Sequence, residues 1–214
     1  MTLLIAIIMV DFRLCNMFET LSYFIHTSYR WILRSKYSRG FGIQSPSAYE
    51  FVRYVVNEHY PYYAYQVLEN QMKSQSRLFR KLGRLFFRLT NFWQPHEVLI
   101  SNNKFVPYIQ KACQKVAVKE FDLLNCEFKN TLLPLLVILD MDDLCTDICR
   151  NKVFGAVSDK MLLVVTNIHS RRSYTQLWNE IIADSCCGVT YDLYSCGIIF
   201  FDKSKHKQNF KINF

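Results

Sequence analysis

The hydrophobic period of this chain changes once, at Pro95, and that change restricts the fold more than any single motif. Beyond it, short apolar runs at 97–101, 116–120, 133–139 and 161–165 alternate with helical stretches at 105–114, 144–154 and 173–183. Strands that alternate with helices predict a parallel sheet covered on both faces. Two further runs, 189–193 and 197–202, are separated only by a turn, so they predict an antiparallel last strand. The reading over 95–214 is a Rossmann-like α/β domain.

Before Pro95 the spacing is helical. Phe18, Leu21, Phe24, Ile25, Trp31 and Ile32 predict a helix over 17–34, and Gly40, Gly42 and Pro46 interrupt it. Phe51, Val52, Val55 and Val56 predict a second helix over 47–59, which the Tyr60-Pro61 step ends. Over 65–92 the residues Leu78, Phe79, Leu82, Leu85, Phe86 and Leu89 form one apolar face, which predicts a single long helix. Residues 17–94 thus read as a helical N-terminal cap. Residues 1–16 hold an apolar run, 1–10, too short to span a bilayer, which takes about 20 residues. They are expected to lie outside the folded unit, as a misassigned translation start or a weak anchor.

Charge and composition narrow the function. Residues 1–100 carry 12 Lys/Arg against 6 Asp/Glu, and residues 101–214 carry 14 against 12. Arg77, Lys81, Arg84 and Arg88 stand at i, i+4, i+7 and i+11, a stripe that could meet an acidic partner or RNA, with the tyrosines of 60–65 as stacking partners. The competing reading is a solvated face. Only six of 214 residues are glycine, which counts against a glycine-loop nucleotide enzyme. The eight cysteines follow no disulfide framework and no Cys-x-x-Cys spacing, so they read as small buried hydrophobes of a cytoplasmic protein. Cys145 and Cys149 share a helix face, but no matching ligand pair accompanies them, and no metal is expected.

Several strings occur in a fixed order: Gly42-Ile-Gln-Ser-Pro46, Pro61-Tyr-Tyr-Ala-Tyr65, Leu85-Phe-Phe-Arg-Leu-Thr-Asn-Phe92, Leu136-Val-Ile-Leu-Asp140, Asn167-Ile-His-Ser170, Gln176-Leu-Trp-Asn-Glu180 and Tyr191-Asp-Leu-Tyr-Ser-Cys-Gly-Ile-Ile-Phe-Phe201. In that order they resemble a group of bacterial class I S-adenosylmethionine-dependent methyltransferases, best known from Bacteroidetes, across almost all of 17–214. The resemblance implies a Rossmann-like methyltransferase fold and S-adenosylmethionine as cofactor. It places Ser101 and Asn102 at the cofactor turn, Glu120 on the ribose, Asp140 on the cofactor amine, and His169 as substrate orienter or proton carrier. The competing reading of Glu120 and Asp140 is an acidic strand end that caps a helix, and that of His169 is a ring that orients its loop against a backbone carbonyl.

The chain departs from the family pattern at three places. The turn after the first strand, Ser101-Asn102-Asn103-Lys104, has no glycine, and no glycine stands between Gly83 and Gly155. Only 121–132 separates the second strand from the one that ends at Asp140, too little for the family's extra strand and its crossover helices. Thr166 and Asn167 replace two acidic residues, and Phe41 and Gln44 replace two histidines, so groups able to act as a base or hold a metal have become neutral. The sequence therefore implies a degenerate methyltransferase-like protein without catalysis, acting as a binding or scaffold protein. An active methyltransferase on a small-molecule or oxygen acceptor, with Asp140 and His169 at its centre, and a basic RNA-binding module are the alternatives.

Overall fold

The computed structural model describes residues 28, 29, 32–37, 40–122 and 133–214. Residues 1–16 and most of the helix expected over 17–34 lie outside the described residues. Helix α1, Pro46–Phe51, starts at Ser45, whose side chain accepts from the Ala48 amide, and a π-helical turn, Val52–Val56, extends it. Helices α2, Tyr63–Gln71, and α3, Arg77–Trp93, replace the single helix expected over 65–92. Ser76 explains the break. Its hydroxyl accepts from the Phe79 amide at 3.1 Å, so it starts a new helix instead of continuing the old one. Gln94, in left-handed geometry at φ 48°, ends α3 before Pro95.

The strands are β1, Glu97–Ile100; β2, Ala117–Glu120; β3, Leu135–Asp140; β4, Met161–Thr166; β5, Val189–Asp192; β6, Cys196–Phe200; and β7, Gln208–Lys211. They form one sheet in the order β2-β1-β3-β4-β6-β5-β7. The first four run parallel, β6 is antiparallel to β4 and to β5, and β7 is parallel to β5. This is the mainly parallel, Rossmann-like α/β sheet that the alternating periods predict. The antiparallel strand is β6, but it is not the last one, because the chain returns after the 203–207 turn to add β7 at the edge. At the other edge no strand lies beyond β2 among the described residues.

Connections are made by α4, Val106–Ala112; α5, Met141–Leu144; α6, Asp147–Gly155; and α7, Arg172–Ala183. Alternation along the strands divides the core in two. Val98, Ile100, Leu136, Ile138, Leu162, Val164 and Ile198 face α1, α3 and α4. Leu99, Val137, Leu139, Leu163, Val165 and Ile199 face α6 and α7. Two glycines let helices close on their neighbours. A Cβ on Gly83 of α3 would lie 2.4 Å from the Tyr108 ring on α4, and one on Gly197 of β6 would lie 2.2 Å from Trp178 on α7.

The basic stripe expected on α3 is not a free cationic face. Arg88 is buried, and it donates from Nε to the Val55 carbonyl at 2.6 Å, from Nη2 to the Val56 carbonyl at 2.9 Å and from Nη1 to the Tyr65 hydroxyl at 3.3 Å. It thereby satisfies the carbonyls at the end of the π turn, which have no helical partner. Arg84 pairs with Glu69, and the Lys81 ammonium lies 4.2 Å from the centre of the Phe214 ring. Among the tyrosines of 60–65, Tyr60 and Tyr63 are exposed, but Tyr62 and Tyr65 pack against Phe87.

Candidate functional site

In an open parallel sheet, ligands gather outside the carboxyl ends of the strands where the strand order reverses. Here β1 is followed on one side by β2 and on the other by β3, so that point lies between Ser101 and Asp140. Ser101 follows β1, and its hydroxyl accepts from the Asp140 amide at 3.1 Å. The same amide donates to Asp143 Oδ2 at 2.9 Å, while Asp140 Oδ1 accepts from the Asp142 amide at 3.1 Å, which completes a capping box for α5. Asp140 Oδ2 accepts from the Thr166 hydroxyl at 2.8 Å and from the Asn167 amide group at 2.5 Å. Two neutral residues, Thr166 and Asn167, are thus the ones that close on this carboxylate.

The turn after β1 needs no glycine. Asn102 is extended, at φ −113° and ψ 96°, and its side chain accepts from the Lys104 amide to start the 3-10 turn Asn103–Phe105 that leads into α4. The left-handed geometry that asparagine tolerates is used instead at Asn167, with φ 62°, where the backbone amide donates to the Ser195 carbonyl at 2.8 Å. Glu120 is exposed at the end of β2, two strands from Asp140, so the structure does not bring the two acids together.

His169 belongs to a second cluster on the same edge. Its Nε2 lies 2.8 Å from Asp192 Oδ2 and its Nδ1 lies 3.0 Å from the Thr175 hydroxyl, so side chains, not a backbone carbonyl, hold the ring. Asp192 ends β5. Its Oδ1 also accepts from Arg34 Nη1 at 3.1 Å, from Arg34 Nη2 at 3.2 Å and from the Tyr194 amide at 2.8 Å. Burial opposes ionisation of this carboxyl, but the His169 hydrogen bond and the charges of Arg34 and His169 outweigh it and hold it below its ordinary value. Tyr194, at φ 70°, is the centre of a γ-turn closed by the Ser195 amide on the Leu193 carbonyl at 2.9 Å, a strained form that Asp192 pins in place.

Sequence reasoning missed Arg34, Thr175, Asp192 and Tyr194. Asp192 and Tyr194 lay inside a quoted string, but only the antiparallel pairing of β5 with β6 carries them to the His169 loop. Among the described residues, no group of three or more His, Cys, Asp or Glu side chains is placed to hold a metal ion, and no helix is long and apolar enough to cross a membrane.

No family model and no curated protein matches the chain. Solved structures do. A methyltransferase from Geobacter sulfurreducens aligns over 74% of this chain and 98% of its own, at 12% identity and a TM-score of 0.44. The SAH-bound methyltransferase PaMTH1 of Podospora anserina aligns over 75% of this chain and 97% of its own, at 10% identity and a TM-score of 0.46.

Proposed function

We propose that this is a catalytically silent methyltransferase-like protein whose sheet edge is closed by its own side chains and which persists as a binding protein. The observation that carries the reading is the hydrogen-bonded ring at the strand-order reversal. Asp140 already holds the Asp142 amide, the Thr166 hydroxyl and the Asn167 amide group, and Ser101 is turned onto the Asp140 backbone. These residues do not fit S-adenosylmethionine. The carboxylate that would meet its amine already accepts three hydrogen bonds from its neighbours, and Asn102 and Asn103 set side chains at the turn where the cofactor needs bare backbone. His169 supports the same reading, because both its ring nitrogens are engaged and a proton carrier needs one directed at the substrate.

Calorimetric titration with S-adenosylmethionine and with S-adenosylhomocysteine tests the proposal, and no binding tighter than millimolar is expected. One contact from Glu120 to a ribose would contribute about 1.5–3 kcal/mol, whereas a micromolar constant requires about 8 kcal/mol. A micromolar constant that Glu120→Ala or Asp140→Ala abolishes would overturn the proposal and establish a rebuilt cofactor pocket.

A further inference from the structure

The turn between α7 and β5 lies at the amino end of β5, on the opposite edge of the sheet from Asp140 and Asp192, and it brings two thiols together. Cys186 and Cys187 are neighbours in sequence with their Sγ atoms 4.0 Å apart. Cys187 is buried, and its thiol donates to the Ile181 carbonyl at 3.3 Å, while Cys186 is half-buried and gives access from solvent. The backbone that carries them is pinned on each side. The Cys186 amide donates to Asp184 Oδ1 at 2.8 Å, the Cys187 amide to the Asp184 carbonyl at 3.2 Å, and the Gly188 amide to the Phe200 carbonyl at 2.9 Å. Lys207, exposed beside this turn, donates from Nζ to the Ala183 and Asp184 carbonyls at 2.8 and 2.6 Å.

The sulfur separation decides what this pair can do. A disulfide needs its sulfurs at about 2.05 Å and its Cα atoms usually at about 4.4–6.8 Å, but adjacent Cα atoms across a trans peptide are about 3.8 Å apart. Oxidation would therefore have to deform a turn that five hydrogen bonds hold. A bridging ion asks less. Two metal–sulfur bonds of about 2.3 Å, the length zinc makes to cysteine, reach about 4.6 Å in line, so a two-coordinate ion needs the sulfurs to part only slightly from the 4.0 Å observed. Zinc itself wants four donors, and no third His, Cys, Asp or Glu joins the pair to form a metal-binding group among the described residues. Two soft thiolates suit a monovalent, low-coordinate cation, and the neighbouring Asp184 carboxylate, which the Cys186 side chain meets, is too hard a donor to compete for it.

We propose that Cys186 and Cys187 form a two-coordinate site for a soft monovalent cation of the Cu(I) class. On binding, both S–H bonds break and the two protons pass to the buffer. Two copper–sulfur bonds form, the oxidation state is unchanged, and a bis-thiolate complex of charge −1 results. The Lys207 ammonium, already fixed on the same turn, offsets that charge, and the Asp184 carboxylate adds to it.

The test uses the full chain under anaerobic, reducing conditions, with Cu(I) presented as its complex with a colorimetric chelator. The wild type is expected to withdraw one equivalent, seen also as one bound copper in native mass spectrometry. Cys186→Ser and Cys186→Ala are expected to lower retention at least tenfold with an unchanged far-UV spectrum, while Cys145→Ser, which removes an exposed thiol elsewhere, leaves it intact. Failure of the wild type to withdraw copper overturns the site whatever the variants do. So does retention that survives both Cys186 substitutions, or that Cys145→Ser reduces equally.

Discussion

A carboxylate as deeply buried as Asp192 would ordinarily titrate high, because burial disfavours its charged form. Its side chain is only 9% exposed, yet Arg34 and His169 flank it and the Tyr194 amide donates to it, so its proton is held below the ordinary value of 3.8. The sign of the pH effect follows. A folded-state value below the unfolded one adds stability that is fully present above the unfolded value and is lost as pH falls through the folded one. Urea midpoints of the wild type are therefore expected to fall as pH drops from about 4, the unfolded aspartate value. Asp192→Asn should be less stable at neutral pH and should lose less on acidification. Parallel slopes for the two proteins would show that Asp192 is not the titrating group. None of this was legible in the sequence, since Arg34, His169 and Asp192 are spread over 158 residues and only the sheet collects them.

At the scale of elements, hydrophobic alternation placed β1 to β6 to within two residues at either end, because each strand is a short apolar run bounded by polar residues. Helices were harder to divide. The 3.6-residue period runs through 65–92 without interruption, but Ser76 satisfies an amide of the next helix better than it continues the last, and side-chain capping leaves no trace in a periodicity. The packing glycines are also silent in sequence. Gly197→Ala is expected to push Trp178 from β6 and to cost about 1–3 kcal/mol, as overpacking a filled core does. Urea denaturation gives the magnitude, and loss of near-ultraviolet circular dichroism from the displaced indole locates it.

Across the whole molecule, α1 and α3 share one continuous core with the sheet, and α6 and α7 form the other layer. Unfolding is expected to be a single transition, with the helical N-terminal half and the sheet melting together. Two variants check this, because Trp93 packs on the first core and Trp178 in the second. Trp31→Phe with Trp178→Phe leaves Trp93 as the only indole, and Trp31→Phe with Trp93→Phe leaves Trp178. In each, the fluorescence midpoint should coincide with the far-UV midpoint. Two separated transitions would make 17–94 an independent unit.

The sequence by itself determined the layers: where helices give way to alternating strands, which residues face inward, and that the sheet is mainly parallel with one strand reversed. Those properties are set by period and by burial of apolar side chains, both written locally along the chain. Tertiary structure decided the rest. It turned Arg88 from a surface cation into an internal cap, set Thr166 and Asn167 on Asp140, and brought Arg34 and Asp192 to His169. Each of these depends on donors and acceptors meeting across strands or helices distant in sequence, and a buried polar group takes whichever partner the packed fold brings within about 3 Å.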